Sequence, residues 1–365
     1  MPKPARAKTI ALFVPDLGGG GAERVVLAEA RDLIRQGHKV DLLLAFAGGE
    51  LLALLPPQVR VIEFKARRLS AALRPLREYL RRENPDALHA TMWPSTVIAI
   101  AAHRLARSGA RLMVSDQVAL SQQVTTFRQR AALRLSTALL YPLADIRVQC
   151  SAVAADDLAQ LSGIARNRIE VITNPVEPPE SLKSNARIEA LWQVPKGERI
   201  INVGRLKDQK NQANLLRAFA RLKRPKARLM ILGEGELRAA LEELAGELGI
   251  AERTIFAGFD IDQWPYLAAA DLFVLSSDYE GFPLVLAEAM AAGLKVVSTD
   301  CPSGPVELLD GGRFGRLVPC RDPQALADAI DAALDEVGDP ERMKARARAL
   351  AGPAQIERYT ALLTN

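Results

Sequence analysis

The sequence has few cysteines, few aromatic residues and no long apolar run, and each shortage excludes a class of protein. Its 3 cysteines, Cys150, Cys301 and Cys320, lie far apart and form no CxxC pair, so we expect neither a disulfide framework nor a zinc cluster. No stretch approaches the ~20 apolar residues of a membrane-spanning helix. The apolar run 9–14 is too short for the core of a signal peptide and is better explained as a strand. We therefore expect a cytoplasmic protein in a reducing compartment.

Positive charge is concentrated in the first half of the chain. Residues 1–178 carry 24 lysines and arginines against 16 acidic residues, whereas residues 179–365 carry 24 against 27. This asymmetry suggests an anionic partner for the first half, either nucleic acid or an anionic membrane, with a solvated basic face as the alternative. Aromatic residues make up only 5% and do not interleave with the basic runs. Nucleic acid is therefore not expected as a partner.

Short apolar runs alternate with segments of helical period in the first half. The expected strands are 9–14, 40–45, 61–64, 87–90, 111–115, 146–150 and 169–172. Helical segments are expected between most of them, for example 22–36, 70–82, 96–107 and 128–140. Short apolar strands that alternate with helices indicate a parallel sheet covered on both faces. The first half is therefore predicted to be one doubly wound α/β domain.

A polar, proline-rich stretch at 174–181 interrupts this pattern and is typical of an interdomain linker. After it the expected strands are 199–203, 228–232, 254–257, 272–276 and 295–299, and the expected helices are 212–222, 237–248 and 284–292. We predict two α/β domains, 1–178 and 179–352, that face each other across a cleft. The last segment, 353–365, is predicted to be a short helix that packs back on the first domain.

A glycine-rich loop follows the first predicted strand and opens a helix. Ligands of open α/β sheets bind beyond the carboxyl ends of the strands. Gly19 and Gly20 can bring an anion close to the backbone N–H groups of that helix. The dinucleotide fingerprint would require a third glycine in place of Glu23, and no ribose-binding acid ends the second strand. A phosphate loop is favoured over a nicotinamide site, and a tight turn without a ligand is the alternative.

Two cations and two acids follow strands of the second predicted domain. Arg205, within Gly204-Arg205-Leu206, and Lys210 can converge on one diphosphate, although a solvated turn would carry the same residues. Glu280 lies after another strand, and Glu288 is expected about two turns into the following helix. Carboxylates accept hydrogen bonds from the vicinal hydroxyls of a sugar or ribose. Taken alone, Glu280 could be an acid favoured by the dipole at a helix start, and Glu288 a partly buried acid or one partner of a surface salt bridge.

Together these motifs resemble the retaining GT-B glycosyltransferases of family 4. The matching pieces are Gly204-Arg205-Leu206 with Lys210, the E-x7-E pair Glu280 and Glu288, Gly-Gly-Ala-Glu-Arg at 20–24, Gly37-His38-Lys39-Val40 and Cys301-Pro302-Ser303-Gly304-Pro305. They are most similar to bacterial members that build lipopolysaccharide, capsule and lipid-linked oligosaccharides. The resemblance implies two Rossmann-like domains. It also implies transfer of a sugar from a nucleotide-diphosphate donor, UDP-hexose or UDP-N-acetylhexosamine, to a glycan or a polyprenyl-diphosphate-linked acceptor.

The resemblance also implies a role for each matching residue. Arg205 and Lys210 would hold the diphosphate, Glu280 would bind hydroxyls of the donor sugar, and Glu288 would bind the ribose. The remaining expected donor contacts are Gly19, Gly20, Gly204, Phe282, Pro283 and Leu284, with Phe256 and Gly258 near the base. Family members generally need no metal or other cofactor. The Asp260-Ile261-Asp262 motif is therefore better explained by Asp262 capping a helix than by a metal site.

One feature departs from the family pattern. Members commonly have a histidine after a strand in the middle of the first domain, but the corresponding segment here, 114–117, has none. His89, expected at the end of the preceding strand, and Asp116 are the candidates to replace it. A structural role is the alternative for both.

The acceptor is expected on the first domain, where six arginines lie in or beside one helical segment. They are Arg67, Arg68, Arg74, Arg77, Arg81 and Arg82. An anionic inner leaflet near a lipid-linked acceptor fits this face. A glycosidase is not favoured, because its two carboxylates must flank one bond. A sugar-nucleotide epimerase of the same architecture and a non-catalytic nucleotide-sugar-binding subunit remain as alternatives.

Overall fold

The computed structural model describes residues 6–365, which divide into two compact units. One unit runs to Pro175 and also includes Pro353–Asn365, and the other is Val176–Gly352. The boundary between the two units thus falls after residue 175, whereas the sequence predicted a domain boundary after residue 178. Residues 1–5 of the predicted first domain lie outside the described residues.

The first unit is built on seven strands. They are β1 (Thr9–Val14), β2 (Lys39–Leu44), β3 (Arg60–Glu63), β4 (Ala87–Thr91), β5 (Arg111–Asp116), β6 (Ile146–Gln149) and β7 (Glu170–Val171). The helices between them are α1 (Gly21–Arg35), α2 (Leu73–Glu83), α3 (Ser95–Ala106), α4 (Phe127–Leu140) and α5 (Ala152–Ser162). All strand pairs are parallel, in the order β3-β2-β1-β4-β5-β6-β7. The interior strand β1 is buried from Ile10 to Val14, as a strand covered by helices on both faces must be.

The second unit repeats this architecture with six strands. They are β8 (Arg199–Val203), β9 (Arg228–Leu232), β10 (Thr254–Gly258), β11 (Leu272–Leu275), β12 (Lys295–Thr299) and β13 (Arg316–Val318). The helices are α6 (Ala186–Trp192), α7 (Gln212–Phe219), α8 (Arg238–Glu247), α9 (Trp264–Ala269), α10 (Leu284–Ala291), α11 (Pro305–Leu308), α12 (Pro323–Asp335) and α13 (Pro340–Ala351). The parallel order is β10-β9-β8-β11-β12-β13, so the strand order reverses between β8 and β11.

The chain then returns to the first unit with one more helix, α14 (Pro353–Thr364), which packs against α1. The buried hydroxyl of Thr360 donates a hydrogen bond to Asp32 of α1 at 2.8 Å. The ring of Tyr359 lies 6.1 Å from that of His89 in β4. Apolar and polar contacts of α14 with α1 and β4 therefore hold the end of the chain to the first unit.

The predicted fold class is confirmed, since both units are doubly wound parallel sheets. Several ends differ from expectation. Helix α7 stops at Phe219 rather than at 222, because Arg221 and Leu222 donate to carbonyls three residues back and close the helix with a tight turn. Helix α2 begins at Leu73, after a 3₁₀ turn over Leu69–Ala72. No helix within residues 6–365 has the length and apolar character to cross a bilayer.

Candidate functional site

The carboxyl ends of β8, β9 and β10 are joined through backbone hydrogen bonds. The N–H groups of Gly204 and Leu206 donate to the carbonyls of Leu232 and Glu234, each at 3.0 Å. The N–H of Gly233 donates to the carbonyl of Gly258 at 2.8 Å. The loop that carries Arg205 is thus held by main-chain hydrogen bonds to the segment after β9, and that segment is bonded in turn to the end of β10.

Glycine is required where these loops cross. Gly233 has a φ of +152°, and a Cβ there would overlap the carbonyl oxygen of Gly204. A Cβ on Gly235 would overlap the carbonyl oxygen of Leu206. The Gly233-Glu234-Gly235 segment therefore supports the predicted Gly204-Arg205-Leu206 loop directly.

Lys210 and Glu280 meet where the strand order of the second sheet reverses. Lys210 follows β8 and Glu280 follows β11, and the ammonium nitrogen lies 2.6 Å from the Glu280 Oε1 atom. Ser277 donates a second hydrogen bond to the same oxygen at 2.6 Å. Doubly wound sheets bind ligands at such a switch point, beyond the carboxyl ends of the strands. The structure thus brings together two residues that are 70 positions apart in the chain.

The segments that carry this pair are bonded to each other along their length. The side chain of Asn211 donates to Asp278 at 2.9 Å, and that of Gln209 donates to the Tyr279 carbonyl at 2.9 Å. The Ser276 hydroxyl donates to the carbonyl of Lys210 at 2.8 Å. Because several bonds fix both loops, the ammonium and carboxylate are positioned by the fold.

Arg205 is the exposed cation of the site. Its side chain is 71% exposed, and its nearest carboxylate is that of Glu236 at 3.7 Å. A Cβ on Gly204 would meet the aliphatic chain of Lys210 at 3.6 Å, so Lys210 lies beside the residue that precedes Arg205. An exposed guanidinium with a weak protein partner is available to bind an anion from solvent.

Sequence reasoning missed a third cation, Lys207. Burial lowers the pKa of the Lys207 ammonium, and the positive charge of Lys210 and Arg205 lowers it further, against the opposing effect of Glu280. Three cations therefore lie close enough to interact, and a bound anion would relieve their repulsion. The signal for Lys207 was present in the sequence as a lysine between two predicted cations.

Helix α10 carries the remaining acid and the expected backbone contacts. Pro283 precedes the helix as its N-cap, and Phe282 and Leu284 are buried on either side. The first amides of a helix have no intrahelical acceptor and can bind an anion. Glu288 is buried at the fifth position of α10, about one turn into the helix rather than two.

The Cys301–Gly304 segment shapes the loop before α10. The Ser303 hydroxyl donates to the Gly281 carbonyl at 2.8 Å. Gly304 has a φ of +68°, and a Cβ there would overlap the Gly281 carbonyl and the Pro283 ring. Burial raises the pKa of the Cys301 thiol, and the nearby Glu280 carboxylate raises it further. This thiol is thus kept neutral beside the site.

Phe256 and Gly258 lie on β10 next to α8. The Arg238 guanidinium lies 5.3 Å from the centre of the Phe256 ring and also donates to the Phe256 carbonyl at 3.2 Å. Gly258 has a φ of +79°, and a Cβ there would approach the Glu234 carboxylate at 3.4 Å. The structure therefore places both residues beside the Gly233–Gly235 segment.

The glycine loop of the first unit leads into helix α1, and two carboxylates of the protein lie beside it. Gly20 is the N-cap of α1, and the Glu23 carboxylate lies where a Cβ of Gly20 would stand. The N–H of Gly18 donates to Asp16 at 2.9 Å. Gly19 lies between these two glycines. The loop follows β1, at the point where the first sheet reverses its order.

His89 is not at the end of a strand, as expected, but inside one. It lies in the middle of β4, and its ring nitrogens contact Glu29 at 2.8 Å and Ser115 at 2.8 Å. All three side chains are buried. The prediction that His89 ends the strand was wrong because β4 continues to Thr91. Sequence reasoning also missed Glu29, whose helix brings it to His89 from 60 residues away.

Asp116 ends β5 and is fully engaged by the protein. Its carboxylate accepts hydrogen bonds from the Trp93 N–H at 2.9 Å, the Tyr141 hydroxyl at 2.9 Å and the Gln149 amide at 3.2 Å. Burial raises the pKa of Asp116 to about 6 despite these bonds. It stands at the carboxyl edge of the first sheet, as the sequence predicted.

The Asp260-Ile261-Asp262 motif is bonded to its own surroundings. Asp260 accepts from the Tyr266 hydroxyl at 2.9 Å. Asp262 accepts from the Trp264 N–H at 3.1 Å, but the N-cap of α9 is Gln263. The predicted cap is therefore displaced by one residue, because the helix begins at Trp264.

Two family descriptions match the chain, one for each unit. "Glycosyltransferase Family 4" matches residues 19–179, and "Glycosyl transferases group 1" matches residues 185–350. A Campylobacter jejuni protein named N-acetylgalactosamine-N,N'-diacetylbacillosaminyl-diphospho-undecaprenol 4-alpha-N-acetylgalactosaminyltransferase is 30% identical over 354 residues, covering 94% of this chain and 95% of that protein. The lipopolysaccharide core biosynthesis glycosyltransferase LpsE of Rhizobium meliloti is 39% identical over 132 residues, 36% of this chain and 38% of that one.

Solved structures share the fold across the whole chain. Anabaena Alr3699/HepE, solved in complex with UDP, has a TM-score of 0.77 at 23% identity and covers 97% of this chain and 98% of its own. WaaG, a glycosyltransferase involved in lipopolysaccharide biosynthesis, has a TM-score of 0.78 at 17% identity and covers 98% of this chain and 100% of its own. By its match to the Campylobacter transferase over nearly its full length, and by the two family descriptions, this chain belongs to the family 4 glycosyltransferases of the GT-B fold.

Proposed function

We propose that this chain is a retaining, metal-independent glycosyltransferase that uses a UDP-linked hexose or N-acetylhexosamine. Its acceptor would be a glycan or a polyprenyl-diphosphate-linked sugar in bacterial cell-surface polysaccharide biosynthesis. The observation that carries the proposal is the Lys210–Glu280 pair at the switch point of the second sheet, beside the exposed Arg205. The relatives' names and the UDP complex of HepE support the donor and acceptor classes.

The cations of the site would stabilise the negative charge that develops on the leaving group. When the bond between the sugar C1 and the phosphate oxygen breaks, negative charge grows on the diphosphate. Arg205 and Lys210 would stabilise it, with Lys207 adding to the local positive field. Glu280 would accept hydrogen bonds from hydroxyls of the donor sugar, and Glu288 from the ribose. Backbone amides at the start of α10, around Phe282–Leu284, would bind the phosphates.

Retention would follow from attack on the same face as the departing phosphate. The acceptor oxygen forms its bond to C1 while the C1–phosphate bond breaks, and the acceptor proton passes to the leaving phosphate oxygen. This step needs no carboxylate as nucleophile and no metal, because protein cations neutralise the diphosphate. We place the reaction at the cytoplasmic face of an anionic membrane, where a lipid-linked acceptor would lie.

Calorimetric titration tests the donor assignment. UDP, GDP, ADP and NAD are titrated in buffer with and without EDTA, into the wild type, Arg205→Ala and Glu288→Gln. UDP binding that is unaffected by EDTA and weakens in both variants supports the proposal. Arg217→Ala is the matched control, because Arg217 is an exposed arginine of α7 outside the site. Binding of NAD alone, or of no nucleotide, would refute it.

Turnover separates the transferase from the two alternatives. A panel of UDP-sugars with lipid-linked acceptors should release UDP, and the product anomer, read by NMR, should match the donor. Glu280→Gln should abolish that release. UDP-sugar binding without turnover would favour a binding subunit, and an epimerised UDP-sugar without UDP release would favour an epimerase.

A further inference from the structure

Helix α4 exposes three of its five large apolar side chains to solvent. Phe127 is 85% exposed, Leu135 63% and Leu139 62%, whereas the buried residues of the helix are only Leu133 and Thr137. A surface helix normally turns its apolar stripe toward the core. Contiguous exposed apolar side chains of this kind mark an interaction surface.

The same segment carries positive charge and no negative charge. Between Asp116 and Asp145 the sequence contains no acidic residue, and α4 carries Arg128, Arg130 and Arg134, all exposed. At 100° per residue, Arg130 and Arg134 border the apolar stripe on one side. By contrast, two arginines of α2 are paired with acids, Arg74 with Glu78 and Arg82 with Glu83.

The helix is firmly attached to the unit, so the exposed face is a fixed surface. Thr126 and Gln129 form a reciprocal capping box at its start. The Trp93 indole donates to Ser136 at 3.2 Å on its inner side. Helix α4 follows β5 in a parallel sheet. The N-terminal end of α4, at Phe127, therefore lies toward the carboxyl edge of the sheet, where the ligands of such sheets bind.

Neighbouring helices extend this basic surface. Helices α2, α3, α4 and α5 all contribute to one hydrophobic core on the same side of the sheet. Helix α3, which contacts both α2 and α4, exposes Leu105 and Arg104, and its C-cap residue Arg107 is also exposed. Exposed arginines and leucines therefore continue from α4 onto α3, whereas α5, which also contacts α4, carries no arginine and has the acids Asp156 and Asp157.

We infer that the exposed face of α4 docks on an anionic lipid bilayer. The 14-residue helix, about 21 Å long, would lie flat in the headgroup region with Phe127, Leu135 and Leu139 inserted and its arginines on lipid phosphates. A self-contact is disfavoured, because two copies would place arginines against arginines. This deepens the proposed function, since a lipid-linked acceptor would be met at that surface.

Vesicle co-sedimentation at low salt tests the docking. The full chain is mixed with phosphatidylcholine vesicles, with or without phosphatidylglycerol. We expect binding to the anionic vesicles only, weakened by added salt. Leu135→Glu and Leu139→Glu should each reduce the partition coefficient about tenfold or more, since burial of a leucine is lost. Arg130→Gln and Arg134→Gln should each reduce it about fivefold.

Two controls make the outcome specific to α4. Val337→Glu replaces a 99% exposed valine of the second unit and should leave vesicle binding unchanged. Arg81→Gln, on α2, measures how much that helix contributes to vesicle binding. The proposal is overturned if the wild type ignores anionic vesicles or if the α4 variants bind as the wild type does. It is also overturned if the wild type is a dimer in solution that Leu139→Glu dissociates.

A second readout separates this inference from the proposed function. UDP titration is performed on the same variants, and the α4 substitutions should leave UDP affinity unchanged because they are outside the second unit. Vesicle binding with no UDP binding would refute the donor assignment alone. UDP binding with no vesicle binding would refute the docking alone.

Discussion

Substitution of Arg205 should separate catalysis from stability. The Arg205 side chain is 71% exposed, and its ion pair with the 59% exposed Glu236 spans 3.7 Å. Exposed pairs of this kind contribute about 0–1 kcal/mol to folding. Arg205→Ala should therefore lower the melting temperature by less than about 4 °C, given about 2–4 °C per kcal/mol for a domain of this size. Loss of one charge-stabilising donor should lower turnover by about 10²–10³-fold.

Lys210 supplies the contrast. Its ammonium is 18% exposed and its partner Glu280 only 6% exposed, at 2.6 Å. Removal of one partner of a buried pair costs about 3–5 kcal/mol. We expect Lys210→Met to lower the free energy of unfolding by about 3 kcal/mol, the low end of that range, because Ser277 continues to donate to the Glu280 carboxylate. Lys210→Met should therefore lose both turnover and stability, whereas Arg205→Ala should lose only turnover.

The assay combines thermal unfolding, followed by circular dichroism, with UDP release from the preferred UDP-sugar. Arg217→Ala serves as the matched control for removal of an exposed arginine. If Arg205→Ala destabilises the protein as much as Lys210→Met does, the exposure argument is wrong. If Arg205→Ala retains the turnover of Arg217→Ala, the assignment of Arg205 to the diphosphate is wrong.

Two further predictions concern a glycine and a buried acid. Gly304→Ala should destabilise the protein by clearly more than Gly311→Ala in chemical denaturation, and should weaken UDP binding. Both glycines have a positive φ, a conformation that costs an alanine about 1–2 kcal/mol. Only at Gly304 would the added Cβ also overlap neighbouring atoms. Because burial raises the pKa of Asp116 from 3.8 to about 6, its folded form binds a proton more tightly than the unfolded chain. Its contribution to stability is therefore present below pH ~4 and lost as the pH rises to ~6, by about 3 kcal/mol. Asp116→Asn should gain stability relative to the wild type over that range, and a difference that does not change with pH would contradict this reasoning.

The repeating elements of both sheets could be predicted because their signals are local. Strands β1, β8, β9 and β12 have the expected bounds, since each is built around a short run of adjacent apolar residues. Strand β13 was missed because three residues, Arg316–Val318, carry too little periodicity. Helices α6, α12 and α13 were also missed, and their place in the fold is clear only from their packing.

The candidate site divides in the same way. The positions of Arg205, Lys210 and Glu280 could be predicted because each follows a strand, and parallel strands bring such residues to one edge; their roles stay a prediction. The 2.6 Å contact between Lys210 and Glu280 was not predicted, because it depends on β8 and β11 being neighbours in the sheet. The partner of His89 was missed for a similar reason, since Glu29 comes from a helix distant in sequence.

The main-chain bonds between the Gly204–Leu206 loop and its neighbours have a thermodynamic consequence. The loop takes its shape only when β9 is in place, because its N–H groups donate to Leu232 and Glu234. A ligand of this loop therefore cannot bind a partly folded sheet. Its binding free energy is added to the free energy of unfolding of the whole second unit. A nucleotide at 100 times its dissociation constant would stabilise that unit by about 2.7 kcal/mol. If the proposed nucleotide donor binds this loop, the melting temperature should therefore rise with nucleotide concentration even when no acceptor is known.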